Sequence, residues 1–125
     1  MIGPDRFTYL HLRHVGGKRW KVLARFKYLH PDHLFTVPAG FTTDLDSVPR
    51  IPGLYAMVKG RATRSAVVHD YLYRNRYPRK QADNIFWDAM KHEGVAAAYR
   101  WMIWAGVRSG GWLAYRRKQD QPTKE

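Results

Sequence analysis

The sequence contains no cysteine, which excludes disulfide bonds and thiolate metal sites and is consistent with a reducing compartment. It also has no long apolar run. The longest stretch, GVAAAYRWMIWAGV, is interrupted by Arg100 and is too short to span a bilayer. The first ten residues, MIGPDRFTYL, lack the apolar core of a signal peptide. We therefore expect a soluble protein that is made and kept in a cytoplasm.

Acidic residues are scarce, with 10 Asp and Glu against 22 Lys and Arg, which gives a formal net charge of +12. Such a chain is attracted to nucleic acid, to an anionic membrane surface or to an acidic protein. The basic residues are spread along the sequence, so a solvated basic surface explains the charge equally well. With 45% hydrophobic residues, the 125-residue chain suits one domain over residues 1–118, followed by a polar, disordered tail over 119–125.

The first third of the chain has the two-residue period of β-strands. Apolar and polar residues alternate from Trp20 to Tyr28, which predicts one half-buried antiparallel strand. Gly16-Gly17 predicts a hairpin turn from an earlier strand at about 7–14. A second turn is predicted at HPDH, residues 30–33, and a third strand at LFTV, residues 34–37.

Residues 38–53 hold three prolines and two glycines, so we expect a long loop without a regular element. After residue 61 the period becomes helical. We predict helices at about 62–75, at 79–93 with an end at Gly94, and at 95–108. Gly110-Gly111 should break or kink the last element. Strands followed by helices indicate an α+β fold: an N-terminal antiparallel sheet, a long Pro/Gly loop, an antiparallel helix pair and a C-terminal helix.

His69 and Asp83 stand at matched heights on the predicted helix pair. Only residues 76–78 separate the two helices, which should therefore run antiparallel. At about 1.5 Å per residue, the two side chains lie roughly 9 Å and 8 Å from the shared end and can meet. Tyr73, four residues after His69, is on the same helix face and can reach the same carboxylate.

A histidine facing an aspartate can act as a general base whose tautomer the carboxylate holds. Asp70 points about 100° away from His69 and can face another ligand. Together with Asp44 from the loop, it could bind a divalent cation, calcium or zinc. The alternative is a buried hydrogen-bonded pair that only clamps the two helices, with Asp44 engaged in turn chemistry.

The segments HDYLY and ADNIF resemble the His-Asp-x-x-Tyr and Asp-x-x-Phe pattern of phospholipases of the A-two type, especially disulfide-free viral and bacterial forms. The resemblance implies that His69 activates water, that Asp70 binds calcium and that Asp83 orients His69. It also implies that Tyr73 donates a hydrogen bond to Asp83.

Three longer blocks resemble the phage and prophage family catalogued as domain of unknown function 1353. They are VPAGFTTDLDSVPR, AVVHDYLYR and ADNIFWDAM. The resemblance implies a phage or prophage origin, with a location in the host cytoplasm or the virion, and it implies no activity. Asp46 stands where that family usually has a small residue, and this extra carboxylate could strengthen a metal site or be solvated.

Three functions follow as hypotheses. The first is a small metal-assisted hydrolase of lipid esters, with an anionic membrane surface as its partner. The second is a non-catalytic virion or tail component that binds other phage proteins, and the third is a basic accessory protein that binds nucleic acid. The oligomeric state is not indicated.

Two further residue sets have less specific interpretations. Tryptophans and arginines near the C-terminus suit a membrane interface, a protein partner or nucleic acid, or a core-facing helix with solvated arginines. We expect ordinary surface or turn roles for four histidines, namely His11, His14, His30 and His33.

Overall fold

The computed structural model describes residues 2–17, 19–44 and 61–119, with the backbone alone at residues 113, 114 and 119. Asp46, much of the predicted loop and the predicted tail after residue 119 lie outside these ranges. Antiparallel strands are followed by helices, so the predicted α+β fold is confirmed. The strands are β1 (Leu12–Gly16), β2 (Arg19–Val22), β3 (Phe26–His30), β4 (His33–Val37) and β5 (Thr42–Thr43). The helices are α1 (Thr63–Arg74), α2 (Arg79–Glu93) and α3 (Ala97–Gln119).

The strands form two small antiparallel sheets, one in the order β1-β2-β5 and one of β3 and β4. Both predicted hairpin turns are present. Gly16 and Gly17 connect β1 to β2 with φ of 115° and 56°, a left-handed backbone that favours glycine. His30 and His33 pair across the second turn. The two-residue strand β5 lies within the segment predicted to have no regular element, and it pairs with β2.

The prediction of one strand from residue 20 to 28 is wrong, because the chain changes partners after Val22. The Val22 amide donates to the Phe41 carbonyl and the Leu23 amide to that of His11, whereas Phe26 pairs with Val37 in the other sheet. The alternation of apolar and polar residues continues across the change of partner, because β2 and β3 each keep one face buried. The strand expected at about 7–14 begins only at residue 12, although Phe7 forms an isolated bridge with Tyr28.

Helices α1 and α2 match their predicted bounds to within a residue, and Gly94, with φ of 91°, ends α2. The predicted end at 108 and break at Gly110-Gly111 are wrong, because α3 continues to residue 119. Gly111 has a different role. A Cβ there would stand 3.1 Å from the Tyr73 hydroxyl oxygen, so this glycine permits close approach of α3 to α1.

The core has two parts. The larger lies between the strands and helices α1 and α2, and it includes Phe26, Tyr28, Val68 and Leu72. The smaller includes four apolar side chains of α2 and α3, namely Phe86, Met90, Ile103 and Val107. No helix within the described ranges is both long enough and apolar enough to cross a membrane.

The adjacent glycines Gly110 and Gly111 of α3 provide a test of whether α3 must approach α1 closely. Alanine at either position should gain about 0.5 to 1 kcal/mol from helix propensity. At Gly110 nothing lies within 4 Å of the added Cβ, so Gly110→Ala should raise the free energy of unfolding. At Gly111 the Cβ must displace the Tyr73 hydroxyl, so Gly111→Ala should be the less stable variant. Denaturant titration of both variants measures this, and equal stabilities would refute the role assigned to Gly111.

Candidate functional site

Helices α1 and α2 place His69 and Asp83 opposite each other in the interior. Helix α1 ends at the connection formed by residues 75–78, and α2 begins after it. The packed faces of the two helices bury both side chains, and His69 is only 2% exposed. The Nε2 atom of His69 lies 2.6 Å from Oδ1 of Asp83. The contact predicted from matched helix heights is therefore present.

The Asp83 carboxylate is bound by all three helices. The Tyr73 hydroxyl donates to Oδ1 over 2.5 Å, beside the His69 contact. Arg108 of α3 donates from Nη1 to Oδ2 over 2.7 Å, and Nε of Arg79 lies 3.9 Å from the same oxygen. The role of Arg108 was missed from sequence, since the third helix was predicted to end there. Burial alone would raise the pKa of Asp83, but these hydrogen bonds outweigh it and hold the pKa below its usual value.

The His69 ring is enclosed by aromatic side chains. It stacks on Phe86 at 4.5 Å between centroids and lies 4.1 Å from the Tyr73 ring. Burial lowers the pKa of His69 although Asp83 acts in the opposite direction, which favours the neutral imidazole. Because the ionised Asp83 accepts a hydrogen bond from Nε2, the proton of the neutral ring is on Nε2. Burial, together with Asp83, raises the pKa of Tyr73, so its hydroxyl remains a donor.

The predicted metal ligands Asp70 and Asp44 come together around cations of the chain itself. Oδ2 of Asp70 accepts a hydrogen bond from the Thr43 hydroxyl over 2.6 Å. Its Oδ1 lies 2.9 Å from Nε of Arg74 and 2.9 Å from Nζ of Lys118. The same lysine nitrogen is 3.4 Å from Oδ1 of Asp44, whose Oδ2 is 3.9 Å from Arg74.

This cluster does not fit a resident metal ion while Lys118 is in place, because the buried ammonium group lies where the two carboxylates converge. Within the described part of the chain, no three His, Asp or Glu side chains are grouped so as to hold a metal. Sequence could have indicated Arg74, which follows Asp70 by one helical turn. It could not have indicated Lys118, which lies ten residues beyond the predicted helix end.

His30 differs from the expectation of an ordinary surface or turn role. It is buried, and its Nε2 lies 2.8 Å from Oδ2 of Asp88 on α2. The Asp32 amide donates to its Nδ1 over 3.1 Å, so both ring nitrogens are engaged. His30 therefore joins β3 to α2 through a second histidine–aspartate pair.

Comparison with known proteins gives one match. A family model described as "Protein of unknown function (DUF1353)" matches residues 20–107. This span includes His69, Asp70 and Asp83, and it ends just before Arg108. No curated protein and no solved structure matches the chain.

The lowered pKa values of the buried pair predict acid sensitivity. The unfolded chain should take up a proton at His69 below about pH 6.5 and at Asp83 below about pH 4, whereas the folded protein resists both. Stability should therefore be fully present above pH 7 and fall as the pH drops through these values. Melting curves from pH 8 to 4 measure this. Because the pKa of His92 is also lowered by burial, His69→Gln should reduce the slope between pH 6.5 and 5 without abolishing it.

The Lys118 ammonium can be tested as the cation that holds the Asp44–Asp70 cluster. We expect Lys118→Met to bind calcium or zinc more tightly than wild type, because it leaves two carboxylates without the ammonium. Asp70→Asn in the same background should remove this binding. Calorimetric titration measures it, with exposed Lys91→Met as the matched control. If Lys118→Met binds neither ion, the two carboxylates are not a cation site.

Proposed function

The chain belongs to the DUF1353 family of proteins of unknown function, and we propose that it is a phage or prophage accessory protein that hydrolyses lipid esters. The observation that carries the proposal is the hydrogen-bonded set of His69, Asp83 and Tyr73. These residues have the identities and contacts expected from the resemblance to phospholipases of the A-two type. The formal charge of +12 favours a substrate in an anionic membrane surface.

In the proposed reaction, the His69 imidazole takes a proton from a water molecule as the water oxygen attacks the ester carbonyl carbon. Asp83 stabilises the resulting imidazolium, and Tyr73 and Arg108 keep that carboxylate ionised and oriented. When the tetrahedral intermediate breaks its bond to the alcohol, the imidazolium returns the proton to the leaving oxygen. The products are a fatty acid and a lyso-lipid, and His69 is neutral again.

No step of the proposed reaction uses a divalent cation. Calcium or zinc at Asp70 and Asp44 would polarise the ester carbonyl, but it would first have to displace the Lys118 ammonium.

A structural role is the second candidate, and burial is the observation that favours it. His69 and Asp83 are almost wholly inaccessible, and a buried ion-paired cluster that joins three helices can serve stability alone. In that case the protein is a non-catalytic virion or tail component whose partners are other phage proteins. A basic accessory protein that binds nucleic acid would use the same cluster only as scaffold.

The substitution His69→Gln separates the two candidates. If His69 is the base, hydrolysis of phospholipid esters should fall by about 10²- to 10⁴-fold. The melting temperature should stay nearly unchanged, since glutamine retains a hydrogen-bonding group near Asp83. Fatty-acid release from anionic vesicles, measured with and without calcium, gives the rate.

The matched control is His30→Gln, which alters the partly buried His30–Asp88 pair and should leave the rate unchanged. A wild-type protein that releases no fatty acid, together with a loss of about 1 to 3 kcal/mol of stability in His69→Gln, would decide for the structural role.

A further inference from the structure

Helix α3 exposes large apolar side chains along one face. Trp101 is 59% exposed, Met102 40% and Trp112 51%. Trp101 and Trp112 are eleven residues apart, which places them about 16 Å apart along the axis and roughly 20° apart around it. We call these three residues the tryptophan face. Large apolar side chains that lie together in solvent indicate an interaction surface, because a protein that functions without a partner usually buries them.

Helix α3 carries charge of one sign. Between Glu93 and Asp120 the sequence has five cations and no carboxylate. Two of them, Arg108 and Lys118, contact buried carboxylates of other elements, and the others are Arg100, Arg116 and Arg117. The Arg116 guanidinium lies 6.0 Å from the centroid of the Trp112 ring. A partner of this surface should therefore be anionic as well as able to accept indole rings.

Two unpaired donors adjoin the same face. Trp101 contacts Trp104 and Trp87 edge to face, and Arg100 lies over the Trp87 ring at 5.0 Å. The Trp104 Nε1 and Arg100 Nε atoms are buried, and neither has a hydrogen-bond partner among the described residues. Both groups can only donate, so any partner they gain must be an acceptor.

We propose that the tryptophan face docks onto an anionic bilayer surface. Indole rings partition to the interfacial region of membranes, and arginines pair there with lipid phosphates while their stems remain among apolar groups. A nucleic acid would match the cations but would leave Met102 and the aligned indoles without apolar surroundings. The bilayer satisfies the charge and the apolar area together.

Docking at this face would also bring lipid close to the buried pair. Arg108 follows Trp101 by about two helical turns on nearly the same side of α3, and its guanidinium contacts Asp83. This last step rests on the proposed hydrolase, whereas the docking itself does not.

The experiment uses vesicles of ether-linked phospholipids, which contain no ester to hydrolyse. We expect wild type to bind phosphatidylglycerol vesicles, to bind phosphatidylcholine vesicles weakly and to shift its tryptophan emission to the blue. Trp101→Ala combined with Trp112→Ala should weaken binding at least tenfold. Because Trp101 packs on other tryptophans, Trp112→Ala alone is the variant least able to disturb the fold, and a threefold or greater loss is expected. The control, Tyr9→Ala with Leu23→Ala, removes exposed apolar side chains outside α3 and should bind as wild type does.

Unchanged vesicle binding in both tryptophan variants would overturn the proposal. So would tryptophan variants that lose affinity for duplex DNA while wild type shows none for vesicles. His69→Gln should bind ether-lipid vesicles as wild type does. A wild type that binds these vesicles but never hydrolyses ester lipids would refute the hydrolase and leave the docking surface intact.

Discussion

The fold depends on the ionised carboxylate of Asp83, which has no access to water. A buried charge without partners is too costly for a small domain to keep, so its oxygens must be bound. Tyr73 and His69 supply donors from α1, and Arg108 supplies one from α3. The same requirement brings three helices to one point, although apolar contacts provide most of their packing. Asp83 therefore belongs both to the proposed catalytic set and to the contacts that join the helices. For this reason the same residue supports a catalytic and a structural interpretation.

Asp70, on the neighbouring side of α1, is a second buried carboxylate bound by several donors. It too is fully buried, and it is bound by Thr43 of β5, by Arg74 and by Lys118 of α3. Two adjacent residues of one helix thus face two different polar clusters, as their 100° separation requires. The Asp83 cluster contains a histidine that burial keeps neutral, whereas the described residues of the Asp70 cluster include no histidine.

Sequence was sufficient wherever geometry is local. A short connection between two periodic helices places His69 opposite Asp83, and the same reasoning located both hairpin turns. Prediction from sequence failed where contacts with a distant element determine the local structure. Alternation from Trp20 to Tyr28 agrees with the burial of Val22, Phe26 and Tyr28, but it does not reveal the change of partner strand. Gly111 has the local signature of a helix breaker, yet it lies inside α3, where the lack of a Cβ leaves room for the Tyr73 hydroxyl. With the helix predicted to end at 108, neither Arg108 nor Lys118 could be assigned to a carboxylate.

The contacts of Arg108 and Lys118 limit how the length of α3 can vary. Arg108 contacts Asp83 on α2, and Lys118 contacts Asp70 on α1, ten residues and about 15 Å farther along the helix. The helix is thereby held at two points, and if it slid along its axis or rotated, each of two buried carboxylates would lose a cation. One residue inserted between these cations would turn Lys118 by about 100° away from Asp70. The spacing of ten is therefore a register constraint on α3, one that tolerates exchange of the intervening side chains but not a change in their number.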